Sequence, residues 1–185
     1  SLAGMLERLP PFLSLQNGVE NEERLAEFLG RERVIPGTVT SAVGRRDAGD
    51  VVLERLRGVG VADTGPLARS IFAVLHAAGL KPQLYANAAS MKWSKLLTNL
   101  VANASSAILD LTPAQIFSDP LLYRLEVRQL RETLHVMAAQ KIPVVSLPGT
   151  PVRLLAFGLR WLPLALLQPL LKRAAGSGRG AKMPS

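Results

Sequence analysis

Lys95, Asn99 and Asn103 recur at four-residue intervals in a stretch, Ala88 to Leu109, whose apolar periodicity predicts a helix. At about 100° per residue, Lys92, Lys95, Asn99, Asn103 and Ser106 fall within about 80° of arc and form one polar stripe. Trp93, Leu96, Leu97, Leu100, Val101, Ala104, Ala107 and Ile108 take the arc from about 100° to 240°, the face expected to enter a core. A lysine followed by two asparagines, one and two turns on, suits a polar, anionic small molecule. The cation can give a proton or hold an oxyanion, and the amides can fix hydroxyl and carboxylate groups. Lys92 places a second cation near Lys95, an arrangement that favours proton release near neutral pH. The competing reading is a solvated helix face, which Lys92 and the serines suit. Asparagine costs a few tenths of a kcal/mol in a helix, roughly, so two of them one turn apart ask for a reason. Periodicity alone leaves both readings open.

The second candidate is Leu15-Gln16-Asn17-Gly18, placed at the end of a predicted strand. In an open α/β sheet, ligands lie beyond the carboxyl ends of the strands, where an Asn-Gly pair exposes amides. The same dipeptide is a common turn.

The elements that must position these groups differ between the two halves of the chain. From Phe12 to Val61, short β-branched runs are separated by Gly and Asn: Phe12 to Leu15, Val34-Ile35, Thr38 to Thr40, Val51 to Leu53, and Val59 to Val61. A short helix is predicted from Asn21 to Leu29, with Asn21 as N-cap, Glu22 and Glu23 in the first turn, and Gly30 at the C-terminal cap. A second runs from Leu67 to Ala78. Gly49 and Gly58 around Val51 to Arg57 suggest an antiparallel hairpin at a sheet edge. Beyond Asn87 the texture is helical: Ala88 to Leu109, Pro120 to Gln140 with Asp119 as cap, and Leu154 to Leu171 in pieces. The division expected is 1–86 for an α/β domain and 87–185 for a helical one.

Composition excludes several classes. With 48% hydrophobic residues over 185, the chain is not disordered. It has no cysteine, so disulfides, zinc-thiolate sites and thiol nucleophiles are out, and with only His76 and His135 so is an all-histidine metal site. No metal is expected. The net charge of +8 is concentrated, since Lys172, Arg173, Arg179 and Lys182 lie in the last fourteen residues without an acid. Aromatics at 5% are too sparse for a nucleic-acid stacking platform, so no nucleic-acid partner is expected. Val152 to Leu171 is interrupted by Arg153, Arg160, Pro163 and Pro169, and its clean run falls short of about 20 residues, so no membrane span is expected. Trp161 to Leu171 instead suits a buried helical hairpin or a homodimer contact. Ser1 to Leu15 lacks the features of a signal peptide and reads as a chain cut within a domain, so a cytoplasmic location is expected.

Leu15 to Glu22, Gly37-Thr38-Val39-Thr40, and Trp93 to Asn99 with Asn103 together resemble the ketopantoate reductase (2-dehydropantoate 2-reductase) family in order and spacing along nearly the whole chain. The resemblance implies the C-terminal part of an α/β Rossmann-type domain, followed by an all-α domain like the C-terminal domain of 6-phosphogluconate dehydrogenase. It further implies NADPH-dependent reduction of ketopantoate to pantoate in pantothenate and coenzyme A biosynthesis, with NADP(H) and the 2-keto acid in the cleft between domains. By this resemblance Lys95 is the catalytic lysine, Asn99 and Asn103 bind substrate, and Asn17 faces both nicotinamide and substrate. Val43 makes a cofactor contact, and Ser185 holds a substrate carboxylate or hydroxyl. Departures accompany the match. No Gly-x-Gly-x-x-Gly segment is present; the family's second, substrate-proximal lysine upstream and its downstream acid that helps hold cofactor and substrate are missing, and Pro113 stands where many members carry asparagine. The expectation is a piece inactive by itself. The alternatives are a reductase of another 2-keto acid, or a non-enzymatic helical module binding an anionic partner through its basic tail.

Overall fold

A computed structural model describes residues 9–176. Two compact units are present: one runs through Lys95 and takes back Val145–Pro151, and the other comprises Leu96–Val144 and resumes at Val152.

The first unit contains β1 (Phe12–Ser14), α1 (Asn21–Leu29), a single 3-10 turn at Arg31–Arg33, β2 (Val34–Val39), β3 (Ala42–Asp47), β4 (Asp50–Arg55), β5 (Val59–Ala62), α2 (Pro66–Ala77), β6 (Pro82–Tyr85) and the start of α3 (Ala88–Asn99). Its four-stranded sheet has the order β1-β2-β5-β6, with parallel outer pairs and an antiparallel β2/β5 pair at the centre. Val34-Ile35 and Thr38 to Thr40, expected as separate runs, largely merge into β2 despite Pro36. The ladder explains why. Residues 34–36 pair with β1 and residues 37–39 with β5, so the proline sits where the strand changes partner. Sequence reading also missed β6, whose proline occupies the first strand position, where a missing N–H is tolerated. The expected edge hairpin forms instead as a separate two-stranded sheet, β3 with β4.

Asn21 is not the N-cap of α1. Glu20 takes that position with φ 67, and Asn21 donates from Nδ2 to the Asn17 carbonyl at 2.8 Å. Ile35, Val59, Val61 and Ala68 form the buried core, flanked by Leu13, Ile71, Leu75, Leu80 and Leu84. Gly60 brings α3 onto this sheet, because a Cβ there would lie 2.8 Å from Met91 Sδ and 2.9 Å from Thr38 Cγ2.

Val145–Pro151 joins this unit through three polar groups. Ser94 Oγ accepts the Val145 N–H at 3.0 Å, Tyr85 donates to the Ser146 carbonyl at 2.9 Å, and Thr40 donates to the Pro148 carbonyl at 2.8 Å. Burial pushes the Tyr85 hydroxyl up from 10.0 to about 12. Unfolded, Tyr85 ionises first as pH rises, so stability is unaffected by this group below pH ~10 and falls progressively between ~10 and ~12. Urea midpoints across that range should show the decline, and Tyr85→Phe should flatten this component while costing about 1 kcal/mol at neutral pH for the lost hydrogen bond.

The second unit is helical: the end of α3, α4 (Asn103–Leu109), α5 (Pro113–Ile116), α6 (Pro120–Ala139), α7 (Val152–Trp161) and α8 (Leu164–Gly176). Asp119 caps α6 as expected, accepting the N–H groups of Leu121 and Leu122 at 2.8 and 2.9 Å. Tyr123, Val127, Leu130, Leu134 and Met137 form the buried face of α6, on which α7 packs. Arg131 reaches the carboxyl end of α7, donating to the Leu159 carbonyl at 2.8 Å and the Leu162 carbonyl at 3.2 Å. Tyr123 and Gln168 tie α8 to the bundle by bonds to the Leu164 and Phe117 carbonyls. Among the described residues no helix is long and apolar enough to cross a membrane.

Candidate functional site

The expected single helix from Ala88 to Leu109 is two helices. α3 ends at Asn99, Ala102 turns left-handed at φ 56, and α4 starts at Asn103. Lys92, Lys95 and Asn99 therefore share one helix, while arithmetic for an unbroken helix no longer places Asn103 and Ser106 on their stripe. The apolar arc fails at the same point, since Leu97 is fully buried but Ile108 is 80% exposed.

A carboxylate from α6 stabilises the break. Glu126, fully buried, accepts the Ala102 N–H at 2.8 Å, the Ser105 hydroxyl, and the Gln129 amide at 2.9 Å. Gln129 also donates to the Leu100 carbonyl at 3.1 Å, so main-chain groups on both sides of the break are satisfied. The side-chain atoms Asn103 Oδ1 and Ser106 Oγ are buried without a hydrogen-bond partner. Such orphaned acceptors and donors suit a ligand hydroxyl or carboxylate.

On α3 the polar residues do not form a solvated face. Lys95 and Asn99 are half-buried, and Lys92 is 5% exposed. The Lys92 ammonium donates to Glu22 Oε1 at 2.8 Å, to the Gln16 carbonyl at 2.6 Å and to the Gly37 carbonyl at 3.3 Å. Ser14 adds a hydrogen bond to the same Glu22 oxygen at 2.6 Å. The anticipated role of Lys92 as a second cation acting on Lys95 is thus replaced by a buried ion pair in which Glu22 offsets its charge. Glu22 and Ser14 were not recognised from sequence as members of this group. A signal existed for Glu22, because Glu22, Leu25, Ala26 and Leu29 share one face of α1 and the acid is the odd member.

Asn17 is exposed in the loop after β1, and Gly18 beside it has φ 100, a conformation that favours glycine. Val43 lies on β3, 55% exposed and paired with Leu53. Ser185 lies outside the described residues. Pro113 opens α5 behind a capping box of Thr112 and Gln115, so no side-chain amide is offered there. A cavity of about 330 Å³ in the second unit, lined by Pro143, Arg153, Phe157, Arg160 and Trp161 among others, contains none of the candidate residues. No group of three or more potential metal ligands occurs among the described residues.

The fold class is an α/β Rossmann-type domain, represented by its C-terminal part, followed by an all-α domain. Residues 1–68 match the family model "Ketopantoate reductase PanE/ApbA", and residues 87–154 match "Ketopantoate reductase PanE/ApbA C terminal". The chain belongs to the ketopantoate reductase family. It is 32% identical over 125 residues to 2-dehydropantoate 2-reductase of Pyrococcus horikoshii, covering 65% of this chain and 40% of that protein. The corresponding protein of Halobacterium salinarum is 27% identical over 140 residues, covering 71% of this chain and 45% of the relative. The chain thus spans less than half the length of these two curated relatives. Among solved structures, the ketopantoate reductase of Ralstonia eutropha JMP134 aligns with TM-score 0.67 and 25% identity over 80% of this chain and 47% of that one. D-mandelate dehydrogenase in complex with NADH aligns with TM-score 0.65 and 20% identity over 95% of this chain and 55% of that one.

Proposed function

We propose that this chain supplies the catalytic helix and the second half of the nucleotide-binding domain of an NADPH-dependent 2-dehydropantoate 2-reductase. The observation that carries the reading is the pair of half-buried polar residues on α3, Lys95 and Asn99, one turn apart, with the unpartnered Asn103 Oδ1 at the start of the next helix. Asn17, exposed at the carboxyl end of β1 beside a left-handed glycine, fits a nicotinamide carboxamide and is assigned to hold it, with Val43 as a further cofactor contact. When bound, the reduced nicotinamide supplies a hydride. Lys95 donates a hydrogen bond to the keto oxygen and delivers its proton there as the oxygen becomes anionic; the neutral amine is then reprotonated from solvent. Asn99 and Asn103 orient the hydroxyl and carboxylate groups of the 2-keto acid, and Ser185 is assigned the same task. The absence of an amide at position 113 favours a second reading, a reductase of a different 2-keto acid. Exposed Trp161, Leu166 and Leu170 on α7 and α8 offer a face for self-association, and a structurally similar Staphylococcus aureus ketopantoate reductase is described as dimeric.

NADPH oxidation by the intact parent protein, beside the 185-residue chain alone, tests the reading with ketopantoate and a panel of other 2-keto acids. Turnover by the parent with ketopantoate is expected, and none by the chain alone, which lacks the phosphate-binding glycines. A parent inactive with every 2-keto acid would overturn it.

A further inference from the structure

We propose that Lys92 is a positioning residue whose ammonium ties helix α3 to the carboxyl end of β1, fixing the spacing between Asn17 and Lys95. The proposal rests on the reductase reading above. Three observations on the first unit carry it. Only one of the bonds made by the ammonium goes to a carboxylate; the others hold the main-chain carbonyls of Gln16, the residue before Asn17, and of Gly37 in β2. The Asn17 carbonyl is itself held by Asn21 from the first turn of α1, next to Glu22, so both sides of the loop are anchored to one helix start. Finally, Lys92 precedes Lys95 by three residues on one helix, so the same ammonium fixes the rotation of α3 about its axis.

Stability alone is a poor reason for this arrangement, because a buried ion pair commonly gains little over apolar residues of the same volume. An arginine would not substitute. Its planar fork does not match three acceptors converging on a single nitrogen, and there is no room at 5% exposure for the larger head. The net local charge is that of Glu22 and Lys92 together, with the Ser14 hydroxyl as the remaining polar neighbour. Removing both charged partners therefore leaves the field at Lys95 nearly unchanged while deleting the tether.

The test uses the intact protein and the double variant Lys92→Met/Glu22→Leu, chosen because it can fold where Lys92→Met alone strands a carboxylate. Expected are a folded protein whose urea midpoint falls less than that of Glu22→Ala, the remaining loss coming from the Gln16 and Gly37 carbonyls and the Ser14 hydroxyl, kcat lowered by about 10-fold to 100-fold through misplacement of the reacting groups, and a pH profile of kcat that keeps its shape. Hydrogen exchange of the 15–20 segment should quicken by a comparable factor, with the β5–β6 strands unaffected. Lys92→Arg should not restore kcat. A folded double variant with wild-type kcat overturns the proposal, whether or not exchange quickens, and so does one whose 15–20 segment exchanges as in wild type. If the parent reduces no 2-keto acid, the functional reading falls and the exchange measurement alone decides whether the tether exists.

Discussion

Lys95→Ala in the intact protein is expected to lower kcat by about 100-fold or more while leaving NADPH affinity within a few-fold of wild type. The size follows from the position of the residue. Lys95 is half-buried on α3 between the buried Ser94 and the half-buried Leu96, so its ammonium is held on a rigid helix and no surface lysine can replace it. On the proposed mechanism, alanine removes both the hydrogen bond to the keto oxygen and the proton that must reach it. Lys95→Arg would keep the charge and lose the proton, because a guanidinium does not release one in this pH range, and is expected to restore little. What the proposed mechanism leaves in either variant is orientation by Asn99 and Asn103. Steady-state rates with saturating 2-keto acid decide the matter, and a Lys95→Ala enzyme with near-wild-type turnover would remove this residue from the mechanism.

The second large effect is on stability. Glu22→Ala is expected to destabilise the first unit by about 3–5 kcal/mol, because it strands the Lys92 ammonium in a buried site with only carbonyl partners. Glu22→Gln keeps the shape and both incoming hydrogen bonds but not the charge, so it should fall between alanine and wild type. The contrast with the double variant is the informative part. Removing both charges together deletes a desolvation cost along with the attraction that offset it, so the double variant should lose less than Glu22→Ala, its remaining cost being the unpaired Gln16 and Gly37 carbonyls and the Ser14 hydroxyl. Urea unfolding followed by a probe of the sheet gives these values, and a Glu22→Ala loss under about 1 kcal/mol would mean that water reaches the ammonium.

The elements that position the candidate site were legible in sequence where local chemistry decides them. Asp119 capping α6, Gly30 ending α1, and the strand runs around Phe12 and Val59 all follow from residues within a turn of the feature. The pairing order of the sheet was not, because it depends on which strand Val34–Val39 meets on each side of Pro36. The helix break at Ala102 was likewise hidden. Nothing in Leu100-Val101-Ala102 resists a helix, and the cause lies in Glu126 and Gln129, more than twenty residues away. The buried Lys92 shows the same limit. Its helix position suggested a surface or a site, and only the arrival of Glu22 and two carbonyls from other elements assigns it to the interior. For Lys92 the sequence named the residue and its partners came from other elements, whereas Glu126 and Gln129 carried no signal of their own.

The return of Val145–Pro151 to the first unit has a consequence for how the molecule is made. Neither unit is one uninterrupted stretch of sequence, so a ribosome that has released everything through Gln140 has still not delivered the segment that Thr40, Tyr85 and Ser94 bind. Until then these polar groups stand uncovered beside a finished sheet, bonded to water or, for Thr40, to the Gly58 carbonyl, and the bonds that close the unit are not yet made. Completion of the first unit is therefore coupled to synthesis of most of the second. A premature stop after α6 would yield a sheet with an open seam, a natural point of recognition for chaperones and proteases.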